Sequence, residues 1–241
     1  RRLEGLFGGS PEAAQAEIAR LVQLSNENLV RLLKTSPEGE DLLLISEYTP
    51  GGTLERYIRK RRPSPQQPWR APWQQAYRWA LEIGQALCYL HERSPEGLPH
   101  GNLRPSTVLL TDSLRAKLGV ASILSPPQPV NQIGSLDDVI WIAPEVVVKA
   151  HRAGQYARES FTKSADTYSF ALVVWFICTG LRPWAELDND GEHLPHGHVV
   201  EKFLNGEAGL PKIDKIFPSL TQTSKRLFED AVQQREEGRP V

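Results

Sequence analysis

Between His100 and Leu110 the chain reads HGNLRPSTVLL, which gathers an imidazole, an amide, a guanidinium and a hydroxyl at His100, Asn102, Arg104 and Thr107. Such a set can orient a hydroxyl group and hold an anion. Asn102 has the size and hydrogen-bonding reach of an aspartate without its basicity, so it cannot accept a proton. Arg104 stays a cation at any working pH. Thr107 offers one short hydroxyl, a poor ligand for a hard divalent cation. The nearest carboxylate, Asp112, falls in a following turn.

The elements that must position this stretch are legible from periodicity and punctuation. Trp73 to His91 reads as a helix with Ala76, Tyr77, Ala80, Ile83, Gly84, Leu87, Cys88 and Leu90 on one face, delivering the chain to His100. Ser164 to Trp184, SADTYSFALVVWFICTGLRPW, is apolar on all sides, as a helix buried throughout should be. Upstream, Ser10 to Leu24 reads as a short amphipathic helix, with Ser10 as cap, Pro11 in the first turn and Ile18, Leu21 and Val22 sharing a face. Leu29–Leu33 and Leu42–Tyr48 read as antiparallel strands around a turn at Ser36, Pro37, Glu38 and Gly39. Gly51 and Gly52 turn the chain into a helix starting near Thr53, which the basic run Arg59 to Arg62 closes by complementing the helix dipole. Pro63 to Pro72 cannot continue that helix and reads as a surface loop in which Trp69, if exposed, is a candidate partner contact.

HGNLRPSTVLL, SEYTPGGTLERYI, WIAPEV and the buried helix resemble, in order, the catalytic loop, hinge, activation-segment end and central helix of a protein kinase domain. The wording is closest to tyrosine-kinase-like and receptor-like kinase domains, and the resemblance runs from Ser10 onward. It implies an α+β bilobal kinase-like fold: a small, partly missing β-rich N-lobe with helix and strands over residues 1–48, then hinge and mainly helical C-lobe over 49–241. The chain starts at Arg1 in what reads as mid-strand and contains no Met. The expectation is a fragment, with the glycine-rich loop and first strands either upstream of Arg1 or lost from the chain, and the strand lysine not identifiable.

The resemblance also assigns roles. Ser46 takes the gatekeeper place, and Glu47, Tyr48 and Thr49 supply backbone groups that could meet an adenine, with Arg104 near its phosphates. Glu17 sits where the family's glutamate pairs with the strand lysine, although a solvated helix residue explains it equally. Asp166 is expected to cap the loop backbone, and Glu145 to pair with Arg239. The catalytic aspartate is replaced by Asn102 and the magnesium-holding asparagine by Thr107. The metal-binding Asp-Phe-Gly falls on Val120, Ala121 and Ser122, or is deleted if Gly119 is its glycine. No catalytic residue and no metal site remain, only a vestigial loop.

The implied function is that of a catalytically impaired pseudokinase, a scaffold or allosteric regulator in signalling. The alternative is an atypical active kinase or nucleotide-binding transferase that uses displaced residues. No cofactor is required on this reading, and metal-independent ATP binding stays open. Partners are expected to be proteins, an active kinase or a receptor among them; a third reading is an adaptor built on the Pro-rich segment. The 28 basic and 29 acidic residues give a net charge of −1, which favours neither nucleic acid nor an anionic surface. The longest apolar run, Phe170 to Cys178, is too short to span a bilayer. A cytoplasmic location, including the intracellular domain of a receptor, follows from the resemblance. Cys88 and Cys178 read as small buried hydrophobes in a reducing compartment, and there is neither a glycosylation sequon nor a signal-peptide pattern. His193, His196 and His198 lie in a Gly- and Pro-containing stretch that reads as solvated loop rather than zinc site.

Overall fold

The computed structural model describes residues 11–38, 41–64, 67–93, 97–123, 139–183, 196–206, 226 and 229–231. Its smaller, strand-rich lobe begins with α1 (Pro11–Val22), where Pro11 occupies the first turn and Ile18 and Leu21 face the core. β1 (Leu29–Val30), β2 (Leu32–Glu38) and β3 (Asp41–Ser46) follow. β2 and β3 form the expected antiparallel pair, with one correction. Ser36, Pro37 and Glu38 are strand residues opposite Leu43, Leu42 and Asp41, so the turn comes later than their composition suggests. Proline is tolerated there because a two-stranded ribbon has an open edge.

The apolar run Leu29–Leu33 is not one strand. It breaks at Arg31, and β1 leaves its neighbours to pair in parallel with β6 (Ala116–Gly119). With β5 (Val108–Leu110), the strand that ends HGNLRPSTVLL, and β4 (Gly52–Thr53), they form a sheet ordered β1-β6-β5-β4 that joins the small lobe to that loop. β4 pairs with β5 and leads into α2 (Leu54–Lys60), capped by Thr53 Oγ1 accepting the Arg56 N–H. Both glycines are required. A Cβ on Gly51 would meet the Leu110 and Thr111 carbonyl oxygens at 2.7 Å, and Gly52 has φ +70°.

The larger lobe packs α3 (Trp73–His91) against α5 (Lys163–Thr179) and α4 (Pro144–Ala153) against α6 (His196–Asn205). α5 is buried over most of its surface, as its composition predicts, but not throughout: Thr167, Phe170, Val174 and Cys178 form a half-buried stripe along one side. Trp141 meets Phe176 edge-on at 5.9 Å between centroids, and Ser169 Oγ donates to the Trp141 carbonyl.

α3 forms where expected but is rotated. Trp79, Glu82 and Ala86 join Ala76, Ile83, Leu87 and Leu90 inside, whereas Tyr77 and Cys88 face outward. Cys88 is therefore exposed rather than buried; Cys178 is half-buried, its thiol pushed up to about 11 by burial. The buried Glu82 is satisfied: its Oε2 accepts the Ala116 N–H at 2.6 Å, and Arg115 Nε reaches Oε1. Trp79 Nε1 donates to the Leu114 carbonyl at 2.8 Å and Gln75 Nε2 to the same carbonyl at 3.3 Å, so three side chains of α3 grip the β5–β6 turn.

Trp69 is also corrected. It packs half-buried against the core, edge-on to Tyr57, and its carbonyl lies where a side chain on Gly180 would stand. Arg61 stacks over Tyr57 at 3.4 Å and Arg62 donates to the Gly180 carbonyl, so the end of the basic run binds the chain's own loops. His196 and His198 open α6 instead of lying in a loop, and His193 lies outside the described residues. Among the described residues no helix is long and apolar enough to cross a membrane.

Candidate functional site

The loop from His100 to Thr107 is held from below by α5. Thr162 caps that helix by accepting the Ala165 N–H, which places Asp166 in its first turn beneath the loop. Asp166 is 1% exposed; its carboxylate accepts the His100 N–H at 2.7 Å and the Gly101 N–H at 2.8 Å. His91 Nε2, at the end of α3, meets the same carboxylate at 2.8 Å. The expected backbone cap is therefore present, and His91 joins it unanticipated. Three groups on one buried carboxylate make it the anchor of the site.

His100 is fully buried, and burial pushes its pKa down to about 4 against the weaker opposing pull of Asp166. The ring is neutral at pH 7. Its Nδ1 accepts the Asn102 N–H at 3.2 Å, so the proton sits on Nε2, facing the Gly119 carbonyl at 3.2 Å and Ser122 Oγ at 3.0 Å. Ser122 Oγ itself donates to the Gly119 carbonyl. This imidazole cross-links the loop to the end of β6.

Gly101 has φ +69°, and a Cβ there would lie 2.6 Å from Arg158 Nη1 and 3.1 Å from the Phe161 Cβ. Arg158, from the segment between α4 and α5, donates to the Pro99 carbonyl at 2.7 Å and the His100 carbonyl at 3.4 Å. Nothing in the sequence pattern points to that role, because Arg158 stands in a short 3₁₀ turn without periodicity.

The remaining loop side chains are turned inward. Asn102 Nδ2 donates to the Ser122 carbonyl at 3.3 Å. Thr107 Oγ1 accepts the Arg104 N–H at 3.1 Å and shares its proton between the Asn102 and Arg104 carbonyls, both at 2.9 Å. That hydroxyl is spent on closing the loop. Val120 to Ser122 form a 3₁₀ turn directly after β6, with Val120 2% exposed in the core, so an apolar side chain occupies the place assigned to the metal-binding aspartate. No group of three His, Cys, Asp or Glu side chains among the described residues could hold a metal ion. Asp112 lies in the turn between β5 and β6, as expected.

The hinge-like segment is built differently. Ser46 is exposed at the end of β3, Tyr48 is 87% exposed and Thr49 is buried. Glu47 is tied down: its N–H donates to the Arg31 carbonyl at 2.9 Å, and its carboxylate accepts the Arg31 N–H at 2.7 Å. Lys117 of β6 reaches both Glu47 oxygens, at 2.7 and 3.0 Å. Partial burial raises the Glu47 pKa, but Lys117 and the Arg31 amide outweigh it and the net shift is downward. The Glu47–Lys117 pair, invisible as a sequence motif, ties the hinge to the strand that leads into Val120.

Of the other assigned residues, Glu17 lies within α1 but its side chain is outside the described residues, as are Arg239 and most of the segment between Ser122 and Ile140. Glu145 stands in the first turn of α4.

Comparison with known proteins agrees with this architecture. The family model for protein tyrosine and serine/threonine kinases matches residues 9–239. The chain belongs to that family. Among curated relatives, it is 29% identical over 199 residues to U-box domain-containing protein 33 of Arabidopsis thaliana, covering 83% of this chain and 22% of the relative. It is 30% identical over 198 residues to the L-type lectin-domain containing receptor kinase V.7 of Arabidopsis thaliana, covering 80% and 28%. A putative mitogen-activated protein kinase kinase kinase 7-like protein of Drosophila melanogaster is 25% identical over 231 residues, covering 94% and 53%. The chain thus spans about a quarter to a half of the length of these relatives.

Proposed function

We propose that this kinase-family domain is a pseudokinase that acts by binding partner proteins, as a scaffold or allosteric regulator in signalling. The observation that carries the reading is Thr107, whose hydroxyl closes the loop at the place of a magnesium ligand, with Val120 buried at the place of the other. Loss of a general base alone costs roughly 10²- to 10⁴-fold. Losing the metal ligands as well removes the charge neutralisation on which phosphoryl transfer depends. What the site keeps is its frame: Asp166, His100 and Gly101 fix the loop, and Arg104 supplies a cation. On this reading no cofactor is required, although the backbone of Ser46 to Thr49 with Arg104 leaves a place for metal-independent ATP. The partners are proteins, an active kinase or a receptor, and the domain works in the cytoplasm. Residues 1–48 and 49–241 form the two parts of one unit.

The second reading is a working kinase, favoured by relatives whose names are those of kinases. Incubating the purified chain with radiolabelled ATP, magnesium and a general acceptor protein separates the two. No transfer above the protein-free control is expected. Robust magnesium-dependent transfer, lost on Arg104→Ala or Asn102→Ala, overturns the proposal. A thermal-shift titration with ATP then sorts binding from chemistry: a shift independent of magnesium marks a nucleotide-stabilised scaffold, and one that requires magnesium favours the enzyme.

A further inference from the structure

α3 carries two apolar stripes, and the fold uses only one. The inner stripe, with Trp79, Ile83, Leu87 and Leu90, is core. The outer stripe shows Trp73 at 59%, Tyr77 at 59% and Leu81 at 48% exposure, one helical turn apart, with the Trp73 and Tyr77 rings 6.3 Å between centroids. Beside it lies an open groove of about 670 Å³, whose wall includes Ala80, Gly84, Cys88 and, from α5, Phe170. A Cβ on Gly84 would meet only the Phe170 ring, at 3.6 Å, so the groove floor is shallow backbone that a partner side chain can approach. An exposed apolar strip of this length on a folded domain calls for an occupant.

The charges on the strip say which. Arg78 is exposed near the start of α3 and Glu92 is exposed just past its end, while the exposed positions between them, Leu81, Gln85 and Cys88, are uncharged. Glu27, beside the groove-lining Asn26, adds to the acidic end; Arg93 also lies there, stacked over the Tyr89 ring at 5.0 Å. A strip that is basic at one end, acidic at the other and apolar between is complementary to itself turned end for end. We propose that the outer face of α3 is a self-association surface, on which a second copy of this chain docks antiparallel about a two-fold axis near Gln85. Arg78 of each copy then lies beside the partner's Glu92, and Leu81 and Tyr77 cover the end of the partner's groove lined by Cys88, Tyr89 and Glu92. Such an isologous contact repeats each charge pair twice. It stands apart from the kinase-like site and holds whether or not the domain transfers phosphate.

Size sets the strength. The 19-residue α3 is about 28 Å long. A strip roughly 10 Å wide along it contributes about 300 Å² per partner, well below the ~800 Å² of a standard stable interface. The dimer is therefore weak, with a Kd on the order of 100 µM.

Sedimentation equilibrium of the whole chain from about 5 to 500 µM tests this. Wild type is expected to move from monomer to dimer across that range, and Leu81→Glu to stay monomeric. Arg78→Glu and Glu92→Arg should each raise the Kd about 10-fold, since each places two like-charge pairs in the interface. The double variant should return to within about threefold of wild type, which only an end-for-end pairing of these two residues predicts. All three positions of change are exposed, and unchanged melting temperatures of the variants exclude misfolding as the cause. A wild-type monomer at every concentration, a dimer indifferent to Leu81→Glu, or a double variant as weak as its parents overturns the proposal.

Discussion

The loop at His100 and the hinge at Ser46 lie within the same family match, yet they are held in opposite ways. At the loop the side chains fasten one another: Asp166 takes two backbone amides and His91, His100 bridges to Gly119 and Ser122, and Thr107 closes on Asn102 and Arg104. At the hinge the backbone and glycine carry the geometry, with Gly51 against β5 and Gly52 at positive φ, while Ser46 and Tyr48 face outward. Glu47 is the exception, fixed by Arg31 and Lys117. The difference teaches where a motif tolerates change. A loop whose side chains hold each other loses its shape with any one of them, whereas a hinge made of backbone keeps its shape through most substitutions.

The largest effect should come from the anchor. Asp166→Ala leaves two buried amides and the His91 ring without their acceptor, and is expected to lower unfolding free energy by about 3–5 kcal/mol. Tyr48→Ala, at the hinge, should stay within about 0.5 kcal/mol of wild type. Urea unfolding of both variants measures this, and equal losses would break the contrast between the two regions.

Next is pH. His100 titrates near 4 when folded and near 6.5 when unfolded, so below 6.5 the unfolded chain binds a proton that the folded one excludes. Stability contributed by the neutral ring is complete above pH 6.5 and falls as pH drops toward 4, by about 3 kcal/mol. His100→Gln should flatten that part of the profile, read as the difference between variant and wild type in urea midpoints from pH 7.5 to 4. A profile unchanged by the substitution would show that the imidazole is not the group excluded from protonation.

Gly101→Ala comes third, at about 2 kcal/mol, from positive φ and from the space that Arg158 fills. In an Arg158→Ala background the steric part should shrink to the contact with Phe161, leaving a loss of between about 1 and 2 kcal/mol that is mostly the backbone term. Additive losses in the double variant would instead place the whole cost in φ and remove Arg158 from the loop's support.

How much of this was readable in the sequence follows the same division. Features set by local chemistry were legible: the helix start near Thr53, the turn glycines and the burial of most of α5, while the family resemblance pointed to Asp166 under the loop. Features set by distant packing were not. The run Leu29–Leu33 gave no sign that Arg31 divides it between two sheets, because both halves are equally apolar. On α3 two adjacent apolar stripes made the periodicity ambiguous, and the core was assigned to a face that includes the exposed Tyr77 and Cys88. Arg158, Lys117 and Glu82 act across long stretches of chain, where spacing carries no signal. Within the candidate site, the identities at Asn102, Thr107 and Val120 were legible, but not that each side chain is consumed in bracing.

The smallest expected effect lies at the one hinge side chain that behaves like the loop. Glu47 and Lys117 are both partly exposed, so their pair is worth under about 1 kcal/mol and Glu47→Gln should cost no more. Its sign with pH is nevertheless distinct. The Glu47 carboxyl is held below its ordinary value of 4.5, so its contribution is present above that value and is lost as pH falls further, below most of the window in which His100 acts. Salt separates the two as well, because an exposed pair is screened at high ionic strength and a buried neutral imidazole is not. Comparing Glu47→Gln with wild type at pH 7 in low and high salt should therefore show a small loss that shrinks with salt. A loss that persists in high salt would mean that Glu47 holds the hinge through its bond to the Arg31 amide rather than through Lys117, which would make that stretch of hinge a second side-chain-braced region.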